Sequence, residues 1–235
     1  MNEDEKNRGA GMNRVPETVV ALMVRPPVPG QVKTRLAAGI GASGACRLYR
    51  AMVADILGNI RGAGVPIHLF HAGTENHSLP QAWLDGVDRV RPQRGNDIGE
   101  RMAAVFADCF AEGIEQVILA GSDLPELDAG IIRQALAALT THDAALAPTI
   151  DGGYGLIALQ RDRYCPELFS DIPWSTNQVL ALTRQRFEEC TLSVCLLPLL
   201  RDIDTLDDLL AYQQHPCPAA TATNEAMACL LIKSP

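Results

Sequence analysis

The stretch Gln116-Val117-Ile118-Leu119-Ala120-Gly121-Ser122-Asp123-Leu124-Pro125 constrains the fold more than any other part of the chain. An apolar run with a helical pattern before it and a proline after it reads as a strand buried on both faces of a helix-covered sheet. Such a strand ends in a turn, and this one ends in a carboxylate. Open α/β sheets bind ligands beyond the carboxyl ends of their strands. A charge desolvated there is unfavourable unless a cation or hydrogen bonds compensate. Asp123 therefore has two readings, a ligand for a divalent metal or a cap for the following turn.

The segments around this strand repeat its pattern. Val19–Val24 is a buried strand, and Tyr49, Met52, Val53, Ile56, Leu57 and Ile60 mark one face of a helix stopped by Gly62 and Gly64. Pro66–His71 reads as a strand in which His68 is a lining or core-edge residue. Residues 73–87 give no pattern. A helix follows Asp97, with Ile98, Met102, Val105, Phe106, Cys109 and Phe110 on one face, and Glu100 three residues after Asp97 resembles a capping box. Further on come a helix through Ile131 and Leu139, strands at 144–148 and 156–159, a helix through Val179 and Phe187 capped by Ser175 or Thr176, a strand at 192–199 and a short helix ending near His215. Strands alternating with helices give an α/β nucleotide-binding design.

A chain of 235 residues suits one such domain with a substantial core. The expected division is a disordered leader at 1–15, a single domain at 16–215 and a loosely packed Ala/Thr-rich tail at 216–235. The net charge of −8 argues against broad nucleic-acid binding. Seven cysteines with no C-x-x-C pair read as reduced thiols, not a disulfide framework or zinc site. No stretch is long enough for a membrane span, and Val19–Val24 is too short for a signal sequence, so a cytoplasmic location is expected.

Against that acidic background, the loop after the first strand carries Arg25, Lys33 and Arg35 among Pro26, Pro27, Pro29 and Gly30. The prolines forbid regular structure, Gly30 permits a tight turn, and the cations suit phosphate. The alternative is a solvated basic loop. The glycine spacing is not that of a Walker loop. Gln93 is placed to read a base edge, and Gly95 would let a ligand approach the backbone. Asp151-Gly152-Gly153 is either ordinary turn chemistry or a carboxylate with open amides beside Tyr154. Trp174 is either core or the wall of an acceptor pocket. Asp202 and Asp204 alternate around Ile203 and so face one side of an extended segment. Thr205 with Asp208 forms a capping arrangement, which makes Asp207 and Asp208 structural.

Taken in order, Val-Pro-Gly-Gln-Val-Lys-Thr-Arg-Leu (28–36), Gly-Asn-Asp-Ile-Gly-Glu-Arg-Met (95–102), Gly-Ser-Asp-Leu-Pro (121–125), Asp-Gly-Gly-Tyr (151–154), Ile-Pro-Trp-Ser-Thr (172–176) and Asp-Ile-Asp-Thr (202–205) carry a family resemblance. The chain resembles the radical-SAM- and selenodomain-associated transferases, also named for arsenosugar-biosynthesis glycosyltransferases, within the nucleotide-diphospho-sugar transferase superfamily. The resemblance spans about residues 19–213. It implies a glycosyltransferase-A-like (Rossmann-like) three-layer fold with a mixed, mainly parallel central sheet. It further implies phosphates held by Gly30, Lys33 and Arg35, with Arg25 where the family often has lysine, and Mg2+ or Mn2+ on Asp123; Gln93, Gly95 and Ser122 complete the expected nucleotide site. Because Leu124 and Pro125 stand where a second Asp would complete the double-Asp signature, the second metal carboxylate falls to Asp204 or Asp151.

The chemistry expected is metal-assisted transfer from a nucleotide-activated donor to a small acceptor, with Asp123 and Asp151 as catalytic residues. Gly152, Gly153, Tyr154 and Trp174 would line the acceptor side. The family name puts glycosyl transfer from a nucleotide sugar first, with Asp151 as base toward an acceptor hydroxyl. The alternative is nucleotidyl transfer from an NTP to a phosphorylated acceptor, against which stands the scarcity of cations near Asp151, Arg161 and Arg163 being the nearest. A non-catalytic nucleotide-sensing module is the third reading.

Overall fold

The structure, a computed structural model, describes residues 15–73 and 78–231. Seven strands form one sheet in the order β3-β2-β1-β4-β6-β5-β7. They are β1 (Thr18–Val24), β2 (Ile67–His71), β3 (Arg89–Pro92), β4 (Gln116–Gly121), β5 (Ala144–Pro148), β6 (Tyr154–Gln160) and β7 (Val194–Leu196). All neighbours are parallel except β6, which runs antiparallel to both β4 and β5. The mixed, mainly parallel sheet covered by helices is the expected three-layer α/β architecture.

β1 shows how the sequence builds the layers. Val20, Leu22 and Val24 point into one core, while Val19, Ala21 and Met23 point into the other. The first core packs beneath α1 (Thr34–Ile40), α2 (Ala42–Arg61), α5 (Ala129–Ala138), α7 (Leu206–Gln214) and α8 (Thr221–Leu231). The second packs beneath α4 (Ile98–Ala111) and α6 (Val179–Glu189), with a 3₁₀ turn at Pro166–Phe169. Full burial of a side chain such as Leu22 or Phe106 contributes about 1.5–3 kcal/mol. Continuous apolar strands are required because both faces are covered.

Four sequence expectations need correction. The featureless segment 73–87 contains the single-turn helix α3 (Gln81–Leu84), which buries Trp83 and donates its indole N–H to Arg50 O at 3.3 Å. β3 was not foreseen, because Arg89-Val90-Arg91-Pro92 is an exposed edge strand without an apolar pattern. The last strand is three residues long, not the expected 192–199. The tail is not loose over 221–231: α8 packs on α2, where Asp55 accepts from Ala222 N, Thr223 N and Thr223 Oγ1. The expected leader lies almost wholly outside the described residues. Among the described residues, no helix is long and apolar enough to cross a membrane.

His68 is a core residue, 2% exposed. Burial, and then the neighbouring Arg91 and Arg89, push its imidazole down to about 4. Between that value and the ordinary one near 6.5, the unfolded chain binds a proton that the folded protein refuses. Stability is therefore expected to fall as pH drops from about 6.5 toward 4. Thermal melts of wild type and His68→Leu over that range check this; the variant should lose the His68 share of the slope, and parallel curves would refute it.

Candidate functional site

The carboxyl ends of β1 and β4, the start of β6 and the segment before α7 enclose an open cleft of about 690 Å³. Chain direction explains the grouping. Parallel β1 and β4 deliver their last residues to this edge, whereas antiparallel β6 delivers its first.

Lys33 organises the cationic side. It precedes α1 in the left-handed conformation, φ 48° and ψ 46°, which non-glycine residues seldom adopt. Its side chain is 3% exposed, and Nζ lies 2.7 Å from Asp123 Oδ1 and 3.8 Å from Asp204 Oδ1. Among the described residues the ammonium has these two carboxylates as its only partners and is held by ion pairing. Arg35 Nη1 donates to Asp204 Oδ2 at 2.8 Å. Of the two readings of the loop, a solvated basic loop does not fit Lys33, whose ammonium is withdrawn from solvent.

Two backbone ties hold the acidic side in place. Ile203 N donates to Asp123 O at 3.1 Å, and Glu126 binds Arg201 through both its backbone N–H and its guanidinium. Asp208 then accepts from Asp204 N and Thr205 N, closing a capping box with Thr205. Asp202 and Asp204 stand on either side of fully buried Ile203 and both line the cleft, as their alternation predicts. Burial, followed by the charge of Asp151, pushes the Asp202 carboxyl up to about 6, with Lys33 pulling the other way. The cap reading of Asp123 fails, since no backbone amide among the described residues donates to its carboxylate. Ser122 is buried and shares a 3.0 Å hydrogen bond with Tyr49 Oη, which also accepts from Arg25 N at 2.8 Å. Burial, and then the Asp123 charge, push the Tyr49 phenol up.

The remaining expected residues divide. Asp151, Gly153, Tyr154, Trp174, Arg25 and Gln93 line the cleft, but Gly30, Gly95 and Gly152 do not. Gly30 serves a turn at φ 80°. Gly95, at φ 130°, is required because a Cβ would stand 2.7 Å from Glu100 Cβ and 2.8 Å from Arg101 N. Gly152 has φ 86°, its Cβ would meet Asn177 O at 2.4 Å, and its carbonyl accepts from Leu180 N at the head of α6. That contact replaces the expected Ser175 or Thr176 cap; Ser175 instead takes φ 65°. Asp151 Oδ1 is committed to its own turn, accepting from Thr149 Oγ1 at 2.6 Å and Gly153 N at 3.0 Å. Gln93 Nε2 ties together the ends of β1 and β2 through Val24 O and Phe70 O, which leaves base reading to Oε1. The Tyr154 hydroxyl is buried, so its ring, edge-on to Trp174, supplies wall and not a polar contact. Trp174 is both core and wall: it packs on the second core and lies against Gly99 of α4, where any Cβ would meet its indole.

Sequence reasoning missed Tyr49, Thr149 and Arg101 as cleft residues. Tyr49 read only as part of an apolar helix face. Arg101 stands next to the Asp97–Glu100 cap; its Nε donates to Gly95 O at 3.1 Å, and among the described residues it makes no ion pair.

The donors suit a hard cation. Asp123 and Asp204 offer carboxylate oxygens on either side of one position, and Mg2+ commonly takes one or two carboxylates plus substrate phosphates. Among the described residues no group of three or more His, Cys, Asp or Glu forms a complete metal cage. Phosphate oxygens and water would have to complete the shell.

Comparison with known proteins agrees with this architecture. A curated relative, 3-phospho-D-glycerate guanylyltransferase of Phenylobacterium zucineum (strain HLK1), is 28% identical over 200 residues, covering 81% of this chain and 88% of its own. A crystal structure of a candidate nucleotide-diphospho-sugar transferase from Desulfovibrio desulfuricans G20 is 30% identical with a TM-score of 0.81, covering 92% of this chain and 98% of the other. The 4-diphosphocytidyl-2C-methyl-D-erythritol synthase of Anaerococcus prevotii DSM 20548, at 12% identity and a TM-score of 0.55 over 85% of this chain and 100% of its own, shares the fold alone. Residues 59–176 match the model of a family described as uncharacterized proteins conserved in bacteria, DUF2064. With half of its length inside that model, the chain belongs to the DUF2064 family.

Proposed function

We propose that this protein is a divalent-metal-dependent nucleotidyltransferase that joins a nucleoside monophosphate, taken from an NTP, to a small phosphorylated or carboxylated acceptor. The observation that carries this reading is the interlocked set Lys33, Arg35, Asp123 and Asp204 at the end of the parallel strands. It offers two cations for phosphate and two carboxylates for a metal in one place. The guanylyltransferase relative, aligned over most of both chains, favours nucleotidyl over glycosyl transfer.

The charge distribution supports the same choice. Arg161 and Arg163, the cations nearest to Asp151 in sequence, pair with Glu115 and Asp143 at the far end of the sheet. Arg25, Lys33, Arg35 and Arg101 line the cleft instead, together with Asp123, Asp151, Asp202 and Asp204; with Lys33 and Arg35 on the polyphosphate, Arg25 and Arg101 are the cations left for an anionic acceptor. In the reaction an acceptor oxygen attacks the α-phosphorus, and the bond to the leaving pyrophosphate breaks. Lys33 and Arg35 would neutralise charge on the polyphosphate, and Asp123 and Asp204 would hold the metal, which supplies Lewis acidity when bound. A phosphate or carboxylate acceptor is already ionised, so Asp151 need not remove a proton and instead shapes the acceptor wall through its turn. Gln93 and Ser122 would stand on the nucleotide side, and Tyr154 and Trp174 on the acceptor side. Glycosyl transfer from a nucleotide sugar is the second reading, in keeping with the description of the Desulfovibrio desulfuricans neighbour as a nucleotide-diphospho-sugar transferase.

The test is an assay of each NTP with Mg2+ or Mn2+ and a panel of phosphorylated three-carbon acids, followed by pyrophosphate detection and mass spectrometry of the product. Pyrophosphate and a nucleotidylated acceptor are expected. Release of a nucleoside diphosphate from a nucleotide sugar, with no pyrophosphate from any NTP, would reverse the assignment.

A further inference from the structure

Lys33 occupies an unusual place for a phosphate-binding residue. It is 8% exposed overall, and among the described residues its ammonium has as partners only two carboxylates on different loops. The nearer contact, 2.7 Å to Asp123 Oδ1, is as close as an ammonium and a carboxylate approach. Asp204 is held at the other side by Arg35 and by the Thr205–Asp208 box, so it does not depend on Lys33 for its position. The lysine thus fills, with one positive charge, the space where a divalent cation shared by Asp123 and Asp204 would lie. A +1 and a +2 charge cannot occupy that space together, since like charges a few ångströms apart in a partly desolvated site repel strongly.

We propose that Lys33 is the resident counter-ion of the unliganded site. It keeps divalent metal off the Asp123–Asp204 pair until a polyphosphate draws its ammonium away. Metal and nucleotide then bind in a coupled order, with the nucleotide first or both together, and the free protein is a poor metal binder. The coupling is reciprocal: the factor by which nucleotide tightens metal binding is the factor by which metal tightens nucleotide binding. A lysine suits this exchange because its single mobile charge can swing on a flexible stem, whereas an arginine fork is fixed by its paired bonds. Arg35, on Asp204 Oδ2, keeps that carboxylate oriented while Lys33 moves. This inference rests on the nucleotidyl-transfer reading for its second ligand, but its first test does not.

The test is Mn2+ titration by electron paramagnetic resonance on the full chain without nucleotide, using wild type, Lys33→Met and Lys33→Gln. Mn2+ is expected to bind both variants at least 10-fold more tightly than wild type, and the double variant Lys33→Met/Asp123→Asn should lose that gain. Asp123 is half exposed, with its side chain 48% accessible, so the variants leave no fully buried charge. A circular-dichroism melt confirms that each is folded, and the glutamine variant stands in if the methionine one is not. Unchanged Mn2+ affinity in a folded Lys33 variant, or tight Mn2+ binding by wild type alone, would overturn the proposal. A second titration adds a non-hydrolysable NTP to wild type, where Mn2+ affinity should rise at least 10-fold. If no NTP binds in any condition, the nucleotidyl-transfer reading fails, while the nucleotide-free result still decides the role of Lys33.

Discussion

Asp123→Asn is expected to lower kcat by roughly 10²–10³-fold while leaving the protein folded, as read from pyrophosphate release and a thermal melt. Asparagine keeps the size of the side chain and the backbone carbonyl that accepts from Ile203 N, so the tie between β4 and the 201–205 segment survives. What disappears is the charge that faces Lys33 and that is proposed to hold the metal. Lys33 then keeps Asp204 at 3.8 Å as a counter-charge, which holds the stability loss below the roughly 3–5 kcal/mol that removing one partner of a buried ion pair costs. An active variant, or one that unfolds, would return Asp123 to a structural role.

Asp55→Ala should cost about 3 kcal/mol of stability. Asp55 is 9% exposed and accepts from Thr223 N and Thr223 Oγ1 at 2.7 Å each and from Ala222 N at 3.1 Å. These are the first orphan amides of α8, and Thr223 is fully buried. Alanine would leave three donors without a partner beneath the protein surface. Urea unfolding should show the loss, and hydrogen exchange should place it first in the amides of α8. Asp55→Asn keeps one acceptor and should cost less. Equal stability of Asp55→Ala and wild type would mean that α8 is not held by this cap.

Short-range signals made most of this fold legible. β1, β4, β5 and β6 announced themselves as apolar runs, and the Asp97 and Thr205–Asp208 caps as spaced polar pairs. The carboxylates around Ile203 were legible for the same reason, since alternation is a local property. Elements defined by distant partners were not. α8 depends on an aspartate more than 160 residues earlier, and α3 on the slot that receives Trp83. β3 lacks a pattern because an edge strand buries little. In the site, the cations of the first loop could be named from the sequence, but not the pairing of Lys33 with Asp123, 90 residues away. Gly95 and Gly152 look like ligand glycines in a motif and are packing glycines in space, because only the fold reveals which atoms would meet a Cβ.

The reversed direction of β6 divides the cleft into two kinds of wall. The turn at 149–154 is rooted in the sheet at both ends, leaving β5 and re-entering β6, with Pro148 paired to Tyr154. The loop from Arg25 to Lys33 is rooted in the sheet at one end only, and at the other it runs into a seven-residue helix. An added residue in the first loop lengthens a loop. An added residue in the hairpin changes the loop length that, with the turn type, fixes the β5–β6 register. Insertions and deletions among relatives should therefore gather in the stretch proposed to meet the polyphosphate. Changes in the proposed acceptor wall should instead proceed by substitution at constant length, which makes positions such as Tyr154 and Trp174 the places where one member of the family would diverge from another in what it accepts.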